Sequence, residues 1–164
     1  SSHPDSMWAA GEWLASSGVT AYLPTVITGS DAEKAIDVMV AGAPSGYRGA
    51  TPVGLHLEGP FLAAGARGTH PEDSIRPPSA DDAKTWAHSG VVAMVTLAPE
   101  LPGAAEVVRV LRAAGVVVAA GHSLATYDEA INGMIPPDVR DVVERQRANV
   151  QDTQARLRTM AGNA

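Results

Sequence analysis

Four short apolar runs recur through the chain, at residues 19–27, 53–58, 91–97 and 116–120. Each is followed by a stretch whose apolar residues return every three or four positions. Strands that alternate with helices pair through crossovers, and crossovers make successive strands parallel. This rhythm predicts an α/β domain of about four strand–helix units, preceded by one helix. The runs carry Val, Leu and Ala on both faces, so helices are expected to cover both sides of the sheet.

Local signals place the units. Asp5 or Ser6 reads as a helix N-cap, Met7, Ala10 and Leu14 recur at helical spacing, and Gly18 is the stop. Ser30 lies three residues before Glu33 and reads as a capping box, with Ala32, Ile36, Met39 and Val40 as the apolar face behind it. Ser79 opens a third helix that closes at Gly90. Val107, Val108 and Leu111 line a fourth that stops at Gly115, and residues 126–132 form a last short helix before Pro136 and Pro137.

The tail is different in kind. Residues 138–160 contain no Gly or Pro, and Val139, Val143, Gln146, Val150, Thr153, Leu157 and Met160 follow a four-three spacing. The pattern predicts one long, weakly amphipathic helix that docks on the domain or on a partner copy. Gln146 and Thr153 are poor coiled-coil seam residues, which favours docking on the domain. The expected organisation is an α/β domain over 1–135 and a helical tail over 136–164.

Composition narrows the function. The chain has 18 acidic against 12 basic residues and a net charge of −6, and a binder of phosphate backbones would show the opposite balance. No apolar run approaches the ~18–20 residues that span a bilayer, so neither a nucleic-acid nor a membrane partner is expected. A cytoplasmic setting is the expectation. The absence of cysteine excludes disulfides, thiol nucleophiles and thiolate metal sites, so any metal must be held by His and carboxylate.

In parallel α/β folds the chemistry gathers at the C-terminal ends of the strands. Three of the four runs end in a titratable residue: Glu58, Glu100 and His122. Glu58 and His122 are candidate ligands of a divalent metal, zinc by donor type, or else a loop cap and a buried histidine. Glu100 reads as a structural hydrogen-bonding group. His56 shares the side of the strand occupied by Glu58, as a supporting or a packing residue. His70 lies in the loop Gly65-Ala66-Arg67-Gly68-Thr69-His70, which follows the Glu58 strand and reaches over the same rim. Arg67 there could pair with a phosphate. His88 suits a helix end, and His3 is expected to be solvated.

The segments Gly54-Leu55-His56-Leu57-Glu58-Gly59-Pro60-Phe61-Leu62, Arg67-Gly68-Thr69-His70, Val95-Thr96-Leu97-Ala98-Pro99-Glu100 and Ala120-Gly121-His122-Ser123 stand in an order that resembles the N-acetylglucosamine-6-phosphate deacetylase family of the amidohydrolase superfamily. The resemblance runs over about residues 5–132. It implies part of a TIM-like (β/α) barrel and the metal-dependent hydrolysis of the acetamide of N-acetylglucosamine 6-phosphate, a step of amino-sugar catabolism. By motif, Glu58 and His122 resemble metal ligands, and Thr69 and His70 resemble contacts to the sugar substrate. No residue takes the place of that family's general-base aspartate, and the tail matches none of its segments. Four parallel strands leave two sheet edges to cover. The expectation is therefore a piece of a longer enzyme, or a truncated, non-catalytic half-barrel that weakly binds a sugar phosphate or self-associates as a homo-oligomer, most simply a dimer.

Overall fold

A computed structural model describes residues 6–29, 31–121, 140, 141, 143–149, 151 and 152. Helix α1 (Ser6–Ser16) leads into two short strands, β1 (Ala21–Tyr22) and β2 (Thr25–Ile27). Helix α2 (Ala32–Ala41) follows, then β3 (Thr51–Pro52) and β4 (Leu55–Glu58). After a long loop come α3 (Ala80–Ser89), β5 (Val92–Leu97), α4 (Ala104–Ala113) and β6 (Val117–Ala120). Strands β2, β4, β5 and β6 pair in that order, all parallel.

The first run is broken in two, and a separate short strand precedes the second. Pro24 separates β1 from β2, and Gly54 separates β3 from β4, with β1 and β3 pairing parallel to each other. The ladder nonetheless continues across the breaks: Val53 N–H donates to the Tyr22 carbonyl and His56 N–H to the Pro24 carbonyl, both at 2.9 Å. Gly54 has φ +143°, and a Cβ there would come 2.5 Å from the Cβ of Ala93. Only glycine lets β4 approach β5 so closely at this kink.

Helix α3 starts at its signal, and the start of α2 is shifted by one residue. Ser79 caps α3, its hydroxyl accepting from Asp82 N–H at 3.2 Å. Helix α2 is capped by Asp31, which accepts from Lys34 N–H at 2.9 Å, rather than by Ser30 as the spacing to Glu33 predicts. Asp31 stands directly before the helix, and Glu33 falls in the first turn, where its charge suits the dipole.

Among the described residues, helices cover the sheet on one face only. Leu55, Leu57, Val95, Leu97, Val118 and Ala120 are buried under Ile36, Trp86, Val107, Val108 and Leu111 of the three following helices. Phe61, the chain's single phenylalanine, lies among them with its ring stacked on Trp86 at 5.3 Å. The opposite face carries Thr25, Ile27, His56, Glu58, Met94, Thr96 and Val117, which are half-buried or exposed. Apolar residues on both faces suggested two covers. The apolar side chains of the open face instead line the inner wall of a partial (β/α) barrel, where helices never sit.

Described residues within 140–152 are helical, and this segment docks on the domain. Val143 is buried in the same core, and the Gln146 side chain hydrogen-bonds β6. The expected helix at 126–132, the seam positions Val139, Val150, Thr153, Leu157 and Met160, and the boundary at 135/136 lie outside the described residues. Among the described residues, no helix is long and apolar enough to cross a membrane.

Candidate active site

The candidate site begins with how β4 stops. Glu58 is its last residue, and the chain turns at Gly59, with φ +81°. A Cβ at position 59 would lie 2.0 Å from Thr28 Oγ1, a hydroxyl already committed to the Glu58 carbonyl at 2.7 Å. The turn is fastened on its other side by Gly59 N–H donating to the Thr96 carbonyl at 2.9 Å. The neighbouring strands β2 and β5 thus clamp the backbone at Glu58. Its carboxylate stands at the C-terminal rim on the open face, about one-third exposed.

The loop after β4 folds back over this rim. His70 is 8% exposed, and its Nε2 lies 3.6 Å from Glu58 Oε1. Its other ring nitrogen, Nδ1, is buried with no hydrogen-bond partner. An imidazole desolvated on one nitrogen and facing a carboxylate with the other is a polar group placed for something besides packing. Thr69, next to it, is exposed in the same loop. Arg67 braces the loop: its guanidinium donates to the His70 carbonyl at 2.8 Å and lies 3.4 Å from Glu72. The phosphate role considered for Arg67 therefore competes with a structural one.

One pleat below Glu58 on the same face, His56 is held by hydroxyls from both neighbouring strands. Nδ1 is 3.1 Å from Thr25 Oγ1 and Nε2 is 2.8 Å from Thr96 Oγ1. A neutral imidazole has one N–H and one lone pair, so it donates to one threonine and accepts from the other. Burial lowers the His56 pKa, against the opposing pull of the Glu58 charge. Both ring nitrogens of His56 are thus engaged across the strands, beneath the rim that carries Glu58. Thr25 and Thr96 were not singled out from the sequence. They become partners of His56 only once the register sets Thr25 beside His56 and Thr96 beside Glu58.

The remaining candidates separate. Glu100 follows β5, but its Oε2 is buried without a hydrogen bond, so the structural bond expected of it is not made there. His88 Nδ1 lies 2.6 Å from the Lys84 carbonyl at the end of α3, a helix-terminal role as expected. His3 and His122 lie outside the described residues. A cleft of about 300 Å³ opens beside Glu58, lined by Thr28, Asp31, Ser74, Arg76, Asp82 and Trp86. Arg76 is neutralised there by Asp82 at 2.5 Å and lies over the Phe61 ring.

Among the described residues, no group of three or more His, Asp or Glu side chains stands close enough to hold a metal. Glu58 and His70 nevertheless offer oxygen and nitrogen donors of the kind zinc takes, at the rim where a third could join them. Their donor set fits such an ion, or fits one ligand beside a substrate-binding imidazole.

No protein-family model matches the chain. Individual proteins do. It is 36% identical over 147 residues to the N-acetylglucosamine-6-phosphate deacetylase of Bos taurus, covering 78% of this chain and 36% of that protein. The Homo sapiens deacetylase is 39% identical over 117 residues, covering 68% of this chain and 29% of its own length. Among solved structures, N-acetylglucosamine-6-phosphate deacetylase from Pasteurella multocida aligns with a TM-score of 0.55 at 31% identity, over 70% of this chain and 31% of that one. The chain thus spans about a third of the length of these relatives.

Proposed function

From kinship with N-acetylglucosamine-6-phosphate deacetylases over about a third of their length, we propose that this chain carries part of the active site of an amide hydrolase that removes the acetyl group of N-acetylglucosamine 6-phosphate. The observation that carries the reading is the approach of His70 to Glu58, 3.6 Å apart at the C-terminal end of a barrel strand. In this reading Glu58 and His122 hold a divalent metal, zinc by their donor types, and Thr69 and His70 contact the sugar.

A metal bound there would polarise the acetamide and acidify a water molecule. The chain's own residues do the rest of what can be derived. Thr28 and Gly59 fix the backbone of Glu58, so its carboxylate is held at the rim with little reorganisation. His70 Nε2 stands where it can donate to the amide oxygen or to a sugar hydroxyl, and Arg67 keeps the loop carrying it closed. The His56–Thr96 hydrogen bond stiffens the floor beneath. The domain division at 135/136 belongs to the same proposal, with the metal and sugar residues all in the first part.

A second reading is a half-barrel that folds but does not hydrolyse. It is favoured by the engagement of β6 by the chain's own helix. Zinc stoichiometry of the purified chain, measured beside a Glu58→Ala/His122→Ala variant, separates the two, together with acetate release from N-acetylglucosamine 6-phosphate. Zinc near one per chain, lost in the variant and accompanied by acetate release, supports the hydrolase. No zinc and no acetate release, with folding retained, supports the non-catalytic half-barrel.

A further inference from the structure

Glu58 is held from both sides, and the two sides are built alike. Directly after β2, the Thr28 hydroxyl donates to the Glu58 carbonyl at 2.7 Å. On β5, the Thr96 carbonyl accepts from Gly59 N–H at 2.9 Å. These bonds form an upper rung at the C-terminal rim. One pleat lower, the same two neighbours reach β4 again, this time through a side chain. His56 Nδ1 lies 3.1 Å from Thr25 Oγ1, and Nε2 lies 2.8 Å from the hydroxyl of the same Thr96. Thr96 therefore joins both rungs, its side chain in the lower and its carbonyl in the upper.

The lower rung does more than fill space. Neighbouring strands lie about 4.8 Å apart, so one side chain that bonds to both neighbours sets two spacings at once. A neutral imidazole needs one donor and one acceptor, and two hydroxyls supply them in either order. An aliphatic residue at 56 would pack, as Leu55 and Leu57 do on the other face, and would leave those spacings free. The bridge also runs obliquely. His56 is in register with Thr25 on β2, whereas Thr96 on β5 is in register with Glu58. The tie thus starts at the level of His56 and delivers its constraint at the level of Glu58.

We propose that His56 is a positioning residue for Glu58. By joining Thr25 to Thr96 it fixes β5 beside Glu58, secures the bond from Gly59 N–H to the Thr96 carbonyl, and so keeps the rim carboxylate in one place. The inference rests on the reading of Glu58 as a metal ligand. His56 acts through Thr96 rather than by contact with an ion. A carboxylate whose backbone is already fixed binds a cation more tightly than one that must be ordered on binding.

Thr96→Val keeps the branched shape of the side chain and the carbonyl that meets Gly59, while removing the hydroxyl that meets His56. In the folded variant, zinc affinity, measured by competition with a chromophoric chelator, should fall at least about tenfold. Hydrogen exchange at the Gly59 amide should be at least about tenfold faster. Thr96→Ser, which restores the hydroxyl, should return both to within about twofold of the parent. His56→Phe should match Thr96→Val, and the double variant should lose no more than either, because the two residues form one tie. If Thr96→Val does not fold by circular dichroism, Thr25→Val, at the more exposed end of the tie, carries the test, with an expected loss of zinc affinity of at least about threefold. Glu58→Gln separates the failures. Zinc affinity that drops with Glu58→Gln and not with the tie variants overturns this inference and leaves the metal reading standing. A parent that binds no zinc, or binds it equally with Glu58→Gln, overturns the metal reading and this inference with it. Losses that multiply in the double variant overturn the single tie.

Discussion

Along β4, Leu55 and Leu57 are 1% and 2% exposed, while His56 and Glu58 alternate with them onto a face that no described helix covers. The same four residues thus serve two environments. On the covered face the side chains are aliphatic and meet helices α2, α3 and α4, and burial supplies the stability. On the open face, His56 is tied to Thr25 and Thr96 across the strands, and the Glu58 carboxylate stands at the rim. The period of two that separates these faces lets a strand place a carboxylate 3.6 Å from an imidazole without putting a charge into the core. If the comparison is right, substitutions on one face should cost stability, and those on the other should cost ligand binding.

The largest expected loss comes from the covered face. Phe61 is fully buried and stacked on Trp86, and Phe61→Ala removes that contact and leaves a cavity. The expected destabilisation is about 3–5 kcal/mol by denaturant unfolding. A loss below about 1 kcal/mol would show that the helix layer is not what holds the sheet.

Gly59 stands where the two faces meet. Gly59→Ala must adopt positive φ and displace the Thr28 hydroxyl, so about 1–3 kcal/mol should be lost. Because Thr28 then releases the Glu58 carbonyl, any zinc affinity should fall with it. A variant that loses stability and keeps metal affinity would separate the turn from the site.

The covered face and the strand–helix order were legible early, because both follow from local periodicity. Val107, Val108 and Leu111 announce their helix face, and Ser79 and Gly90 its predecessor's ends. Two features were hidden for physical reasons. Met94, Ala119 and Val117 are apolar, and an inner barrel wall uses the same residues as a helix-covered face, so one-sided cover could not be read from hydropathy. The Thr25–His56–Thr96 tie depends on register, which no single strand encodes. Glu58 and His70 were legible from strand ends and motif, but their 3.6 Å approach required the fold of a loop. Gln146 was visible only as a flaw in a seam.

A smaller effect tests the anchoring of α1 to β1. The Tyr22 hydroxyl donates to the Met7 carbonyl at 2.6 Å, tying β1 to that helix. Burial first, and then the neighbouring Tyr47, push its pKa from 10.0 up to about 12. The unfolded chain therefore releases this proton at lower pH than the folded one. The contribution is complete below about pH 10 and declines as pH rises toward 12. Tyr22→Phe should cost about 1 kcal/mol near neutrality and flatten that alkaline decline relative to the parent. An unchanged alkaline slope would assign the decline to other groups.

The smallest expected change in stability belongs to the residue with the largest expected change in binding. Glu58→Gln keeps the shape of the side chain and the Thr28 clamp on its carbonyl, while removing the charge that faces His70. At about one-third exposure, the carboxylate adds little to folding, so stability should stay within about 0.5 kcal/mol of the parent. Zinc affinity, measured by competition with a chromophoric chelator, should drop at least about tenfold, because a neutral amide is a poor ligand for a divalent cation. A destabilisation approaching that of Phe61→Ala would mean that the rim carboxylate is a structural group, and the division of labour between the faces would fail at its most informative residue. Unchanged stability with unchanged zinc affinity would keep the division but exclude Glu58 as a zinc ligand.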